Sequence, residues 1–397
     1  MIGFHTDWVS PKRKSTIDRA VAEYNKQSPH ITINELFIAG QDDNLSQVVV
    51  AAAAGNEGDM TLWEMYAVEL FASRGMFMPI DRILAQKKID VDADWYYLPE
   101  SSTNVLTGER IGMPYQWNMA WWRYDKDLFD RFGAPYPQEG WSLDDVIELA
   151  KQTTAAEEGI YGFPHTDASD WWGKYRYWDA TLTNAEHTKS TLDTPETLEM
   201  MEWWMDLIFK HKVSPKRPSA DERAEVKATS IGTTSGVPWG TYENHKKNTG
   251  REIAVAPYPI LKKTNRKISH TFDQPHLILN AAARHDVESE VVDFLMFMAG
   301  EFVGQILAEE LPGGSPSKKS VIHNEKYWLR QPPQFVERTL EGYSMMVPAY
   351  PPFPHTLPWI KGHRSMYRQV LTGDMTVREF AQQADAAIDA SFAGPPD

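Results

Sequence analysis

Strand and helix signals alternate from the first residues of this chain. Ile2–Phe4 reads as a short buried strand. Ser10 and Pro11 stand where a helix begins, and Ile17, Ala20, Val21 and Tyr24 follow helical spacing. The β-branched run Ile31–Ile38 predicts a second strand. Leu45, Val48, Val49 and Ala52 give the next helical stripe, which Gly55 stops. Asp59–Trp63 predicts a third strand, and Met65–Arg74 a helix closed by Gly75. A βαβαβα rhythm of this kind demands an α/β body with a mainly parallel sheet.

At 397 residues the chain exceeds one ordinary core, so a second body is expected. Further helices are predicted from Ser142, with Asp145 in capping-box position, and from Thr194-Pro195, with Leu198, Met201, Met205 and Ile208 on one face. Others follow over Val287–Leu307 and Val377–Phe392. The proline-dense segment Pro332–Pro358 reads as irregular surface chain. No window approaches the ~18 unbroken apolar residues of a membrane span.

Composition narrows the function. The net charge is -15, and Lys12-Arg13-Lys14 is the nearest thing to a basic run. That excludes the clustered cations a nucleic-acid partner requires. With no cysteine, disulfides, thiolate metal sites and thiol nucleophiles are excluded together. His-Glu-x-x-His, Gly-x-Gly-x-x-Gly, Walker and Gly-x-Ser-x-Gly patterns are missing, and His270 and His276 lack the spacing of a helical zinc pair. No cofactor and no metal is expected, and no residue is assigned a catalytic role. The 15 Trp are the unusual count. Some must be core; a surplus suits a pocket for flat-faced ligands such as pyranose rings.

Four stretches, in this order, carry a resemblance. Leu45–Asp81 contains Gly55-Asn56-Glu57-Gly58-Asp59 and Pro79-Ile80-Asp81. Gly108–Thr153 runs from Gly108-Glu109-Arg110-Ile111-Gly112-Met113-Pro114 through Trp122-Arg123-Tyr124-Asp125-Lys126-Asp127-Leu128-Phe129 to Trp141-Ser142. Asp286–Ser317 ends in Pro312-Gly313-Gly314-Ser315-Pro316, and a terminal helix follows Met375. Together these resemble the family 1 extracellular solute-binding proteins, whose best-known members bind maltose and other sugars. Tyr124-Asp125-Lys126 departs mildly from the family's tyrosine-asparagine-lysine step.

The resemblance implies a two-lobed α/β fold of the type II periplasmic-binding-protein kind. The lobes would be 1–115 plus 268–322 and 116–267 plus 323–397, with crossings near 114–118, 265–270 and 320–328. It implies a carbohydrate ligand in the interlobe cleft, closure about the hinge, and delivery to the permease subunits of an ABC importer by a monomer. It also implies an extracytoplasmic location. Met1 runs directly into Ile2-Gly3-Phe4, which leaves two expectations, a cytoplasmic protein or a leader missing from this sequence, and the resemblance implies the second.

A sugar offers apolar C–H faces and hydroxyls that each need a partner. Its signature is therefore an aromatic ring beside a planar polar side chain, on a loop after a strand. Asp7-Trp8 follows the first strand and Trp63-Glu64 the third; Gln116-Trp117-Asn118 sits at the first crossing. Trp171-Trp172 lies in a polar loop, Trp239-Gly240 follows a Gly- and Thr-rich segment, and Asp273-Gln274 lies at the return crossing. Gly313 would let backbone N–H groups approach the ligand, and Gln41 lies after the second strand. At least one of Trp121 and Trp122 reads as strand core, Trp203 and Trp204 sit within a helix rather than on a binding loop, and Asp7 and Glu64 also suit helix caps. Two other functions share these residues. A glycoside hydrolase would add two carboxylates about 5–9.5 Å apart, from Asp7, Glu64 or Asp273. A binding protein for a polyamine or peptide would set more carboxylates around the same rings.

Overall fold

The alternation of residues 2–75 folds into a sheet whose first strands lie parallel with helices between them. The computed structural model describes residues 1–6, 11–37, 41–164, 173–216, 226–272, 274–310, 314–349, 363 and 366–392. Its strands are β1 (Ile2–Thr6), β2 (Ile33–Phe37), β3 (Met60–Leu62), β4 (Gly112–Met113), β5 (Gln116–Asp125), β6 (Ile160–Tyr161) and β7 (Ala228–Thr229). They continue as β8 (Ile231–Ser235), β9 (Ile253–Val255), β10 (Ser269–Phe272), β11 (His276–Ile278), β12 (Ser315–Pro316) and β13 (Met346–Pro348).

Two compact units result. Unit 1 takes Met1–Asn118 and Phe272–Pro332; unit 2 takes Met119–Thr271 and the described residues from 333 onward. The divisions fall at 118/119, 271/272 and 332/333 rather than at the expected 115/116, 267/268 and 322/323. Hydrogen bonding explains the first two. Both lie inside continuous strands, β5 and β10, and a strand breaks where its ladder changes partners rather than where turn residues fall. The third follows a short 3-10 turn, Trp328–Arg330, in which Trp328 is fully buried.

The unit 1 sheet has the order β2-β1-β3-β11-β4. Parallel pairing holds for β1 with β2 and β3, while β11 runs antiparallel to β3 and β4. The sheet is therefore mixed rather than mainly parallel. One face buries Ile2, Phe4, Met60, Leu62 and Ile278 against Ile17, Ala20, Val21 and Tyr24 of helix Pro11–Gln27 and against Phe294, Leu295 and Met298. The stretch Glu288–Glu310 is long and apolar enough to cross a membrane by composition, but its most apolar window is 67% buried.

In unit 2, β5 is antiparallel to β8 and β9, β10 is parallel to β13, and β6 and β7 form a separate parallel pair. Asp125 ends β5 and caps helix Lys126–Phe132 by accepting from Leu128 N at 3.1 Å. Ser142 and Asp145 close the expected capping box on helix Leu143–Gln152. Asp385 and Asp389 of the terminal helix Val377–Phe392 accept backbone N–H groups of Ser190, Leu192 and Asp193, which pins that turn.

The segment expected to be irregular surface chain differs. Pro333–Ser344 is a helix that buries Phe335, Val336, Thr339 and Tyr343, and Met346–Pro348 is a strand. Proline at the first helical position lacks only an N–H that would be unpaired anyway, so Pro333 starts structure instead of breaking it.

Candidate functional site

Unit 1 brings two predicted stretches together at the end of β3. The Trp63 backbone N–H donates to Pro275 O at 3.3 Å, which ties the strand's exit to the approach of β11. Glu64 occupies the cap position of helix Met65–Ala72 in extended geometry, yet its carboxylate makes no cap bond. Instead Glu64 Oε1 accepts from Gln274 Nε2 at 2.8 Å. A carboxylate and a planar amide, 210 positions apart in sequence, thus stand as one polar pair beside an indole. The Trp63 ring lies against Phe71 (5.1 Å between centroids) and Phe77 (5.5 Å), only 3% exposed. Its Nε1 is buried with no hydrogen-bond partner among the described residues.

Gln116 and Trp117 open β5, opposite Pro316 and Ser315 of β12. Trp117 is fully buried and donates Nε1–H to Tyr96 O at 2.8 Å. With its ring enclosed and its donor used, it has no free face for a ligand in this structure. Burial on both sides of β5 is the cause. Gln116 Oε1 accepts from Gly314 N at 3.0 Å, while its Nε2 is buried without a partner among the described residues. A Cβ on Gly314 would stand 2.8 Å from Trp117 O, so glycine is required for this approach. Asn118, next along, is half-buried.

In unit 2, Trp239 and Gly240 fall in the first turn of helix Pro238–Thr249, both half-buried. The Trp239 ring stacks on Tyr242 (5.2 Å, 17°) and meets Phe335 edge-on (5.4 Å, 61°). One face of Trp239 is therefore taken by its own helix. Asp7, Trp8, Trp171, Trp172, Asp273 and Gly313 lie outside the described residues, as does the Gln41 side chain, although Gln41 begins helix Gln41–Ala53.

Most of the described tryptophans are core. Trp95, Trp117, Trp121, Trp122, Trp141, Trp178, Trp204 and Trp328 are all buried. In unit 2, ring contacts run from Trp141 to Trp122, Phe163, Trp204, Trp203 and Trp178. Tyr96 and Lys174 escaped the sequence reading. Tyr96 supplies the carbonyl that holds Trp117. Lys174 is buried, with Nζ 4.6 Å from the Trp204 ring. Only the run Trp95-Tyr96-Tyr97 hinted at the first, and nothing in the sequence marks the second.

Burial keeps His270 and His276 in the neutral form. His276 is wedged between Phe4 and Tyr115, and burial pushes it down to about 3. Burial and the nearby Lys174 hold His270 well below the usual imidazole range. Among the described residues no group of three or more His, Asp or Glu can hold a metal ion.

This arrangement can bind a polar solute, with an indole beside a carboxylate–amide pair at strand ends, where ligands collect in open α/β sheets. Residues 8–301 match the family of bacterial extracellular solute-binding proteins. The chain belongs to that family. The resemblance drawn from motif order is thereby established, and with it the solute-binding class and the extracellular setting that the family's description states.

A putative binding protein of Brucella abortus is 24% identical over 191 residues, 47% of this chain and 44% of that protein, so the match spans under half the relative's length. Solved structures of similar fold cover nearly everything. An ABC substrate-binding protein from Listeria monocytogenes in complex with cycloalternan has TM-score 0.77 at 18% identity, over 99% of this chain and 98% of that one. UgpB from Mycobacterium tuberculosis in complex with glycerophosphocholine has 0.76 at 14%, over 98% and 97%. Maltose-bound MalE3 from T. maritima has 0.73 at 18%, over 99% and 98%. These likenesses establish a type II periplasmic-binding-protein fold for this chain.

Proposed function

We propose that this family member is the substrate-binding component of an ABC importer, that its solute is a neutral carbohydrate, and that it releases the solute unchanged. The observation that carries the sugar reading is the Trp63–Glu64–Gln274 cluster. It offers a carboxylate acceptor and an amide with both donor and acceptor, beside a buried indole N–H, the polar set that a polyol requires. None of the described candidate positions is Lys or Arg, so a phosphodiester would find no counter-charge there. That favours a sugar over a glycerophosphodiester, although one structural relative holds the latter. Glu64 is the only carboxylate among the described candidate positions, and it is engaged by Gln274; hydrolysis needs two. Gln116, Asn118, Trp239 and Gly240 remain proposed contacts, as do Asp7, Trp8, Gln41, Trp171, Trp172, Asp273 and Gly313. Trp117 acts instead by holding the start of β5. The proposed partner is the importer's membrane permease, and the proposed location is outside the cytoplasmic membrane.

The test is a thermal-shift screen over maltooligosaccharides and other sugars, glycerophosphocholine, spermidine and peptides, followed by calorimetric titration. A sugar is expected to raise the melting temperature by mass action, with no cleavage products on prolonged incubation. Stabilisation by glycerophosphocholine or spermidine alone, or release of smaller sugars, would contradict the proposal.

A further inference from the structure

Among the buried hydrogen-bonding groups of unit 1 that the site above leaves unassigned, two are neighbours on adjacent strands. They are Nδ1 of His5 and Oγ1 of Thr61, neither of which has a hydrogen-bond partner among the described residues. His5 is 6% exposed and Thr61 0%. β1 and β3 run parallel with His5 opposite Thr61, so the two side chains leave the same face of the sheet as neighbours, about 5 Å apart. Trp63, two positions further along, points to that face as well, and its buried indole N–H has no hydrogen-bond partner among the described residues. His276 is different: it meets Phe4 and Tyr115 on the opposite face, inside the apolar core.

The chemistry at His5 is fixed by its other nitrogen. Gly58 N–H donates to His5 Nε2 at 3.2 Å, so Nε2 is the acceptor and the neutral ring carries its proton on Nδ1. Burial keeps the ring neutral against the pull of Asp59 and Glu57. Gly58 is constrained to this role, because a Cβ there would come within 2.8 Å of both Gly3 O and His5 Cδ2. A buried N–H beside a buried hydroxyl, neither with a protein partner among the described residues, is costly, and a single oxygen placed between them would satisfy both.

We propose that His5 Nδ1 and Thr61 Oγ1 form a subsite for one hydroxyl oxygen at the carboxyl end of β1 and β3. That oxygen accepts the imidazole proton and exchanges a hydrogen bond with the threonine hydroxyl. Its source is either an ordered water or a hydroxyl of the bound solute; the second source rests on the carbohydrate reading, the first does not.

High-resolution crystal structures of the wild type, with and without the best sugar from the screen, distinguish the sources. An oxygen within hydrogen-bond distance of both atoms in unliganded crystals, retained on binding, identifies a structural water. An oxygen supplied by the sugar identifies a solute contact. In that case Thr61→Val should weaken affinity by about two- to tenfold, and Thr61→Ser should restore it. If no sugar binds but the unliganded crystals hold the oxygen, the carbohydrate reading fails and the subsite stands. No oxygen at that position in any crystal overturns the subsite, whatever the variants do.

Discussion

At the residue scale, similar side chains take unlike roles because their neighbours differ. Trp63 and Trp117 both follow strand signals and both adjoin polar residues, so the sequence treats them alike. The structure encloses both rings, but it uses the Trp117 indole N–H on Tyr96 O, whereas the Trp63 indole N–H has no hydrogen-bond partner among the described residues. Which distant carbonyl meets a ring N–H depends on packing, and neighbouring letters do not encode that. Glu64 is the better probe of binding. Glu64→Ala removes the acceptor at the centre of the polar pair, and calorimetry should record at least a tenfold loss of solute affinity with little change in melting temperature. Glu69 calls for a different experiment. Burial, reinforced by Glu100, pushes its carboxyl up to about 8, while the Val105 N–H pulls the other way. The folded protein therefore keeps a proton that the unfolded chain gives up above about 4.5. Stability should fall as pH rises from about 4.5 to 8, by up to ~1.4 kcal/mol per unit from this group, and level off beyond. Denaturant titrations of Glu69→Gln should lose that slope; an unchanged slope would remove Glu69 as its source.

At the element scale, the reading succeeds where the signal is local. The Ser142–Asp145 box closes as its spacing predicts, and Ser142→Ala should cost about 0.5–2 kcal/mol in chemical denaturation. Helix Val377–Phe392 begins and ends where its periodicity does. The reading fails where one residue type serves two ends. Prolines from 332 onward looked like breakers, yet Pro333 starts a helix. The direction of β11 was equally invisible, since a strand's letters do not say which neighbour it will join. Gln274 was legible as a planar polar residue near a crossing; its pairing with Glu64 follows only from the antiparallel register of β11 on β3.

At the scale of the whole molecule, each unit is built from segments far apart in the chain. Unit 1 cannot complete its sheet before β11 is available, because β11 joins β3 to β4. A chain ending at 271 should therefore fail to fold unit 1, visible as protease sensitivity across residues 1–118. A protected fragment there would show that β11 is dispensable. The order of four motif stretches sufficed to point to the family, since they span both units, while the individual ligand contacts depend on packing that no single stretch contains. The measurement that bears most directly on the account is calorimetric titration of the intact chain with maltooligosaccharides, paired with chromatography of the recovered sugar. Saturable binding with the sugar recovered intact is the predicted result. Failure of every sugar to bind, or recovery of shortened sugar, would contradict it.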